Sequence, residues 1–270
     1  MLKINFTKVI YYLSVVFLVV LSPVSVFAEE DMAEAERQAA EKNAVNSAAT
    51  TLTDISTMSA DQAIAEYNQS ETNDRKIEAL KQAAKKYIES RSLTLEALKS
   101  AIESANIDSA KKNELSVEIQ SRITAINRLR DEIQNQSEID QIKNRIRLIF
   151  SENNIYSIFA PKIRGEVAAA RLSAIAGKIE DLKPKIDSLL KEKKNTGVDI
   201  TSGESALLDI NNQLKIINDS LRISNDRFSA ITLTNLTAAK VYIKDGSEAL
   251  IKAKNALGEI NEDLGIIDSL

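Results

Sequence analysis

Two Ser-x-x-Lys patterns, "SAKK" at 109–112 and "SLLK" at 188–191, are where this chain could bring a nucleophile to a base. A serine hydroxyl is a weak nucleophile until a neighbouring base takes its proton. Neither pattern has the companion motifs of the penicillin-binding class, and four-residue matches of this kind are common in helices rich in Ser and Lys. Ser109 reads more simply as a helix cap. The paired acids Glu180–Asp181 and Glu262–Asp263 are sequence neighbours, so on a helix they diverge and cannot face each other across a substrate. "DITSGESALLD" at 199–209 resembles a calcium loop only superficially, because it lacks the alternating oxygen ligands and the closing glutamate. It reads as a turn between helices.

The chain has no histidine and no cysteine. That removes His- or Cys-ligated zinc, the Ser-His-Asp triad and thiol nucleophiles. A glycine-rich phosphate loop is also missing from the sequence. We therefore expect no catalytic, metal or cofactor-binding residues, no cofactor, and a non-enzymatic role.

The first 28 residues read as a separate object. Lys3 and Lys8 supply a positive start, Val9–Leu21 an apolar run, Pro23 a helix break, and "VFA" before Glu29 the small residues that signal peptidase requires. No cysteine lies at the cut, so a lipid anchor on cysteine is excluded. Retention of the segment as an uncleaved membrane anchor is the rival reading. Lys3 and Lys8 are two of the 35 basic residues, and none of the 39 acidic ones lies in this segment, so the remainder carries a net charge of −6. Nucleic-acid binding needs a concentrated cationic face, and this balance argues against it.

Residues 29–270 keep seven of the twelve Phe and Tyr residues and two of the three prolines. Such a composition suits long helices better than a sheet. Residues 29–59 read as an Ala- and Glu-rich helical or flexible tether with a Thr-rich link. From Ser59, whose spacing to Gln62 makes a capping box, residues 60–270 carry apolar residues at steps of three and four. Ile77, Leu80, Ala84, Tyr87, Arg91, Leu95, Leu98 and Ile102 draw one stripe. Leu115, Ile119, Ile123, Ile126, Leu129 and Ile133 draw a second, and Leu172, Ile175, Ile179, Leu182, Ile186 and Leu189 form a heptad seam. "SETND" at 70–74 and "ANIDS" at 105–109 read as breaks, Gly197 as a left-handed helix terminator, and Thr201 or Ser202 as the following cap. Phe228–Asn235 reads as a softer link before a regular final helix. The fold class is all-α, an elongated antiparallel helical bundle of coiled-coil hairpins. The hairpins fall at about 60–152 and 161–229, with a final helix at about 234–268. Short turns force antiparallel neighbours. A monomeric bundle is expected, with a parallel homodimer as the rival.

"FSENNIYSIFAPKIRGEVAAARL" at 150–172 concentrates three aromatics, a proline and a glycine. Asn153 and Asn154 signal a turn, Pro161 suits the first turn of a helix, and Ala160 should be pushed out of helical geometry. Phe150, Tyr156, Phe159, Pro161 and Lys162 thus mark a joint that is either buried core or a partner-binding site, with Arg164 and Arg171 as polar anchors in the second case. The runs "DRKIEALKQAAKKYIESRSL", "AKKNELSVEIQSRITAINRLRDEI" and "IYSIFAPKIRGEVAAARLSAIAGKI" resemble a group of exported, helix-rich bacterial proteins of unknown function. In that group a Tyr-hydrophobic-Pro-Lys element opens a long helix, here Tyr156, Pro161 and Lys162. The resemblance covers about residues 74–190 and implies export and an all-helical fold, with no catalytic residue to carry over.

The expected function is that of a spacer, scaffold or protein-interaction rod, secreted or held at the bacterial cell envelope, with an unidentified protein or envelope component as partner. An adhesin-like or ligand-binding module using residues 150–164 is the alternative. A membrane-active helical protein is less favoured, because neither an apolar hairpin nor a basic amphipathic helix follows residue 28. No nucleic acid, and no membrane after cleavage, is expected as a partner. N-terminal sequencing of the protein recovered from an export-competent bacterial host should begin at Glu29. A product that keeps residues 1–28 and stays in the membrane would establish the anchor instead.

Overall fold

The computed structural model describes residues 55–151, 154–233 and 235–270. The proposed signal segment and most of the tether lie outside these residues. After a 3-10 turn at Ile55–Thr57, the helices are α1 (Ala60–Gln69), α2 (Asn73–Ser104), α3 (Ser109–Gln134), α4 (Ile139–Ser151), α5 (Ala160–Asn195), α6 (Thr201–Ser229) and α7 (Leu236–Asp268). No strand occurs among the described residues, and the fold is all-α. No described helix is long and apolar enough to cross a membrane.

The helix ends follow from local chemistry. Ser59 Oγ accepts from Gln62 N while Gln62 Oε1 accepts from Ser59 N, a reciprocal cap that starts α1. Asp108 accepts from Ala110 N and Lys111 N and starts α3. Gly197, at φ +85°, ends α5. The start of α6 differs from expectation. Asp199, rather than Thr201 or Ser202, holds the turn by accepting from Thr201 N and Oγ1. The end of the supposed tether is also docked, with Ile55 and Met58 buried and Gln82 Nε2 donating to Ser56 O and Met58 O.

Two antiparallel hairpins, α2–α3 and α6–α7, lie along one broken spine made of α4 and α5. Contacts climb the first hairpin in step with the spine. Phe150 meets Tyr87 and Arg91, Tyr156 meets Ser90, Phe159 meets Arg122, Lys162 meets Glu118, and Glu166 meets Lys111. The first core uses the predicted stripes of α2 and α3 with Ile142, Ile149, Ile155, Phe159 and Ile163. Further along, the other side of α5 enters a second core through Leu172, Ile175, Ile179, Ile186 and Leu190, packed on Leu214, Ile217, Leu257, Ile260 and Leu264. At about 1.5 Å per residue, the 36-residue α5 alone is ~54 Å long.

Phe228 is wholly buried at the end of α6, not in a soft link. Its ring lies against Gly165 of α5 and Gly246 of α7, and a Cβ at Gly165 would overlap that ring. Gly177, on the same helix, has open space around the position of its missing side chain. These two glycines predict opposite signs. Gly177→Ala should raise unfolding free energy by about 0.5–1 kcal/mol through helix propensity. Gly165→Ala should lower it by about 1–3 kcal/mol through overpacking, as read by urea unfolding.

Candidate functional site

The joint is where the two hairpin tips overlap on the spine. Asn154 adopts a left-handed conformation at φ 34°, which residues with a short polar side chain tolerate better than most. Its Nδ2 donates to Leu233 O in the α6–α7 turn at 3.3 Å. A single wide π-helical turn, Ile155–Phe159, then leads into α5. Ala160 is not pushed out of helical geometry, with φ −64° and ψ −45°. The bend falls earlier, at Asn154, and the wide turn delivers Pro161 to the first turn of α5.

The five residues of the wide turn divide between cores. Ile155 and Phe159 are buried in the first, with Tyr156 packed against it, while Ile158 is buried with Phe228, Ile231, Ala239 and Ile243. Phe159 is therefore core, fully enclosed beneath the Arg122 guanidinium. Lys162 is a strut. Its ammonium contacts Glu118 at 2.7 Å and Glu166 at 3.5 Å, while buried Glu166 also accepts from Lys111 at 2.6 Å. Burial pulls the Lys111 ammonium down, but hydrogen bonds and charge from Glu166 and Glu114 outweigh it and leave its pKa raised. Of the predicted residues, Phe150 alone leaves a large ring substantially in solvent, at 43% exposure.

Sequence reasoning named Arg164 and Arg171 as the polar anchors. Both are half-buried on α5, and the guanidinium lying over Phe150 and Tyr156 is Arg91 of α2, at 4.3 and 5.2 Å from their centroids. Arg91 had appeared only as a member of the α2 stripe. The departure of an arginine from an otherwise apolar stripe was the available signal. Arg91 is 7% exposed, Nη1 donates to Tyr87 O at 3.2 Å, and Nε has no hydrogen-bond partner. Burial depresses its pKa, with weaker compensation from the Tyr156 and Tyr87 hydroxyls. Tyr87 meets Phe150 edge-on at 5.0 Å, and Ser90 Oγ shares a 2.7 Å hydrogen bond with Tyr156 OH.

The Ser-x-x-Lys patterns do not form dyads. Lys112 Nζ donates to Glu103 O, Ser188 Oγ to Pro184 O, and Lys191 pairs with Asp187. No group of three or more potential metal-ligating side chains occurs among the described residues. Burial raises the Asp263 pKa, helped by the charges of Asp209, Glu259 and Glu262, but these acids do not assemble a ligand shell. Asp199, in the calcium-like stretch, is held below the usual carboxylate range by the hydrogen bonds from Thr201.

No family model, no curated protein and no solved structure matches this chain.

Phe159→Ala should cost about 3–5 kcal/mol of unfolding free energy as a large-to-small core change. Tyr156→Phe should cost only about 0.5–1.5 kcal/mol, the worth of its hydrogen bond to Ser90. Equal, near-zero effects in denaturant unfolding would mean that the joint does not carry the fold.

Proposed function

We propose that this chain is a non-enzymatic, exported helical rod acting as a spacer or protein-interaction scaffold at the bacterial cell envelope. One observation carries the reading. A single spine helix serves two successive hairpins, and this builds length rather than a cleft. Among the described residues most large apolar side chains are buried along the seams, with scattered exceptions such as Leu93, Val117 and Leu208, while charged residues on the outer faces form surface pairs such as Lys86–Glu89, Lys183–Glu180 and Lys244–Glu248. The resemblance to exported helix-rich proteins and the apolar leader support the location. Binding at residues 150–164 is the second reading, favoured by the half-exposed Phe150 ring over a buried cation.

Small-angle scattering combined with light scattering on residues 29–270 tests the rod. One chain per particle and an elongated distance distribution extending beyond the ~54 Å of α5 are expected. A radius of gyration near ~18 Å, the value for a compact globule of this length, would contradict the reading. So would a mass of two chains.

A further inference from the structure

Arg91 poses a problem that the fold itself does not solve. It is a guanidinium, always charged, 93% withdrawn from solvent by its 7% exposure, and the positions three and four residues away on its own helix are Tyr87, Ile88, Thr94 and Leu95, while the nearby Glu89 is paired with Lys86. The rings of Phe150 and Tyr156 attract its cationic face. A ring face, however, does not accept the in-plane N–H groups at the edge of the fork. Nη1 has the Tyr87 carbonyl; the Nε–H edge has nothing. Buried polar groups are normally hydrogen-bonded, and a side-on guanidinium edge between two aromatic planes has the geometry that receives a planar carboxylate through parallel hydrogen bonds. Arg122 Nε is unpartnered too, but it stands one turn from Glu118 in the Lys162 network, so anionic charge is already close.

We infer that Arg91 is the recognition point for a carboxylate side chain on a partner protein, which enters by displacing the Phe150 ring. Phe150 is suited to that displacement. It sits in the last turn of the short helix α4, it is already 43% exposed, and its ring rests on Tyr87 and Arg91. The hydroxyl pair of Ser90 and Tyr156 borders the same place and supplies further donors. An acidic residue followed by an apolar one is the matching partner chemistry, the carboxylate pairing with Arg91 and the apolar side chain taking the place of the Phe150 ring beside Tyr156. This deepens the protein-interaction reading and rests on it. Failure of the rod is read by scattering, whereas failure of this site is read by titration.

The test follows the Arg91 Nε resonance by NMR while acetyl-Glu-Phe-amide, its glutamine analogue or inorganic phosphate is added to the protein. Acetyl-Glu-Phe-amide should give a saturable shift, with binding about tenfold or more weaker for the glutamine analogue. Arg91→Gln should abolish the response, followed through the Tyr156 ring signals. Arg91→Lys, which keeps the charge and loses the fork, should weaken binding at least about fivefold. Phe150→Ala should leave binding intact or tighten it. No saturable shift, an equal response to the glutamine analogue, or a response surviving Arg91→Gln would overturn the site. Phosphate binding as tightly as the glutamate probe would overturn its assignment to a carboxylate. Should Arg91→Gln not fold, the wild-type titrations and Arg91→Lys decide.

Discussion

The structure depends on one helix being shared by two cores. The first stretch of α5, with the wide turn before it, is packed on the α2–α3 hairpin, and the rest is packed within α6–α7. Within the wide turn, Ile158 turns towards Phe228 while Phe159 turns towards the first core. Adjacent residues on a helix point roughly 100° apart, so neighbouring positions can be buried against different partners where the helix is enclosed on two sides. The left-handed Asn154 and the π-helical turn change the helical phase at that point, which lets one chain segment serve both neighbours. Gly165 completes the arrangement by leaving room for the Phe228 ring.

Polar groups at the splice have two different fates. Lys111, Lys162, Glu118 and Glu166 neutralise one another across α3 and α5, so their burial is compensated by hydrogen-bonded partners. Removing one member would strand another in a poorly hydrated place. Arg91 has rings on its faces and a single backbone acceptor at its edge. The contrast between a closed network and an open one, a few turns apart on the same interface, separates scaffold from candidate site.

Long-range order was legible wherever the apolar steps were regular. The stripes of α2 and α3 and the seam of α5 follow from spacing, since a three-four repeat admits one buried face, and the break expected from "SETND" at 70–74 falls between Gln69 and Asn73. In the regular final helix, α7, the small residues Ala239, Gly246 and Ala253 are buried, though Leu236 at its start is exposed. The joint was visible as an anomaly in composition, but its wiring was not. Phe228 looked like part of a link because its partners, Gly165 and Gly246, are distant in sequence and have no side chain to signal the contact. Arg91 was hidden for the same reason. Its meaning comes from Phe150 and Tyr156, which only the folded spine brings over it.

The shared spine should make the two hairpins unfold as one cooperative unit. Hydrogen exchange of Phe228→Ala compared with the native chain reads this coupling, because Phe228 belongs to the second hairpin and the buried stretch Leu115–Ile126 to the first. Protection should fall in both hairpins. Loss confined to α6 and α7, with Leu115–Ile126 exchanging at the native rate, would contradict it.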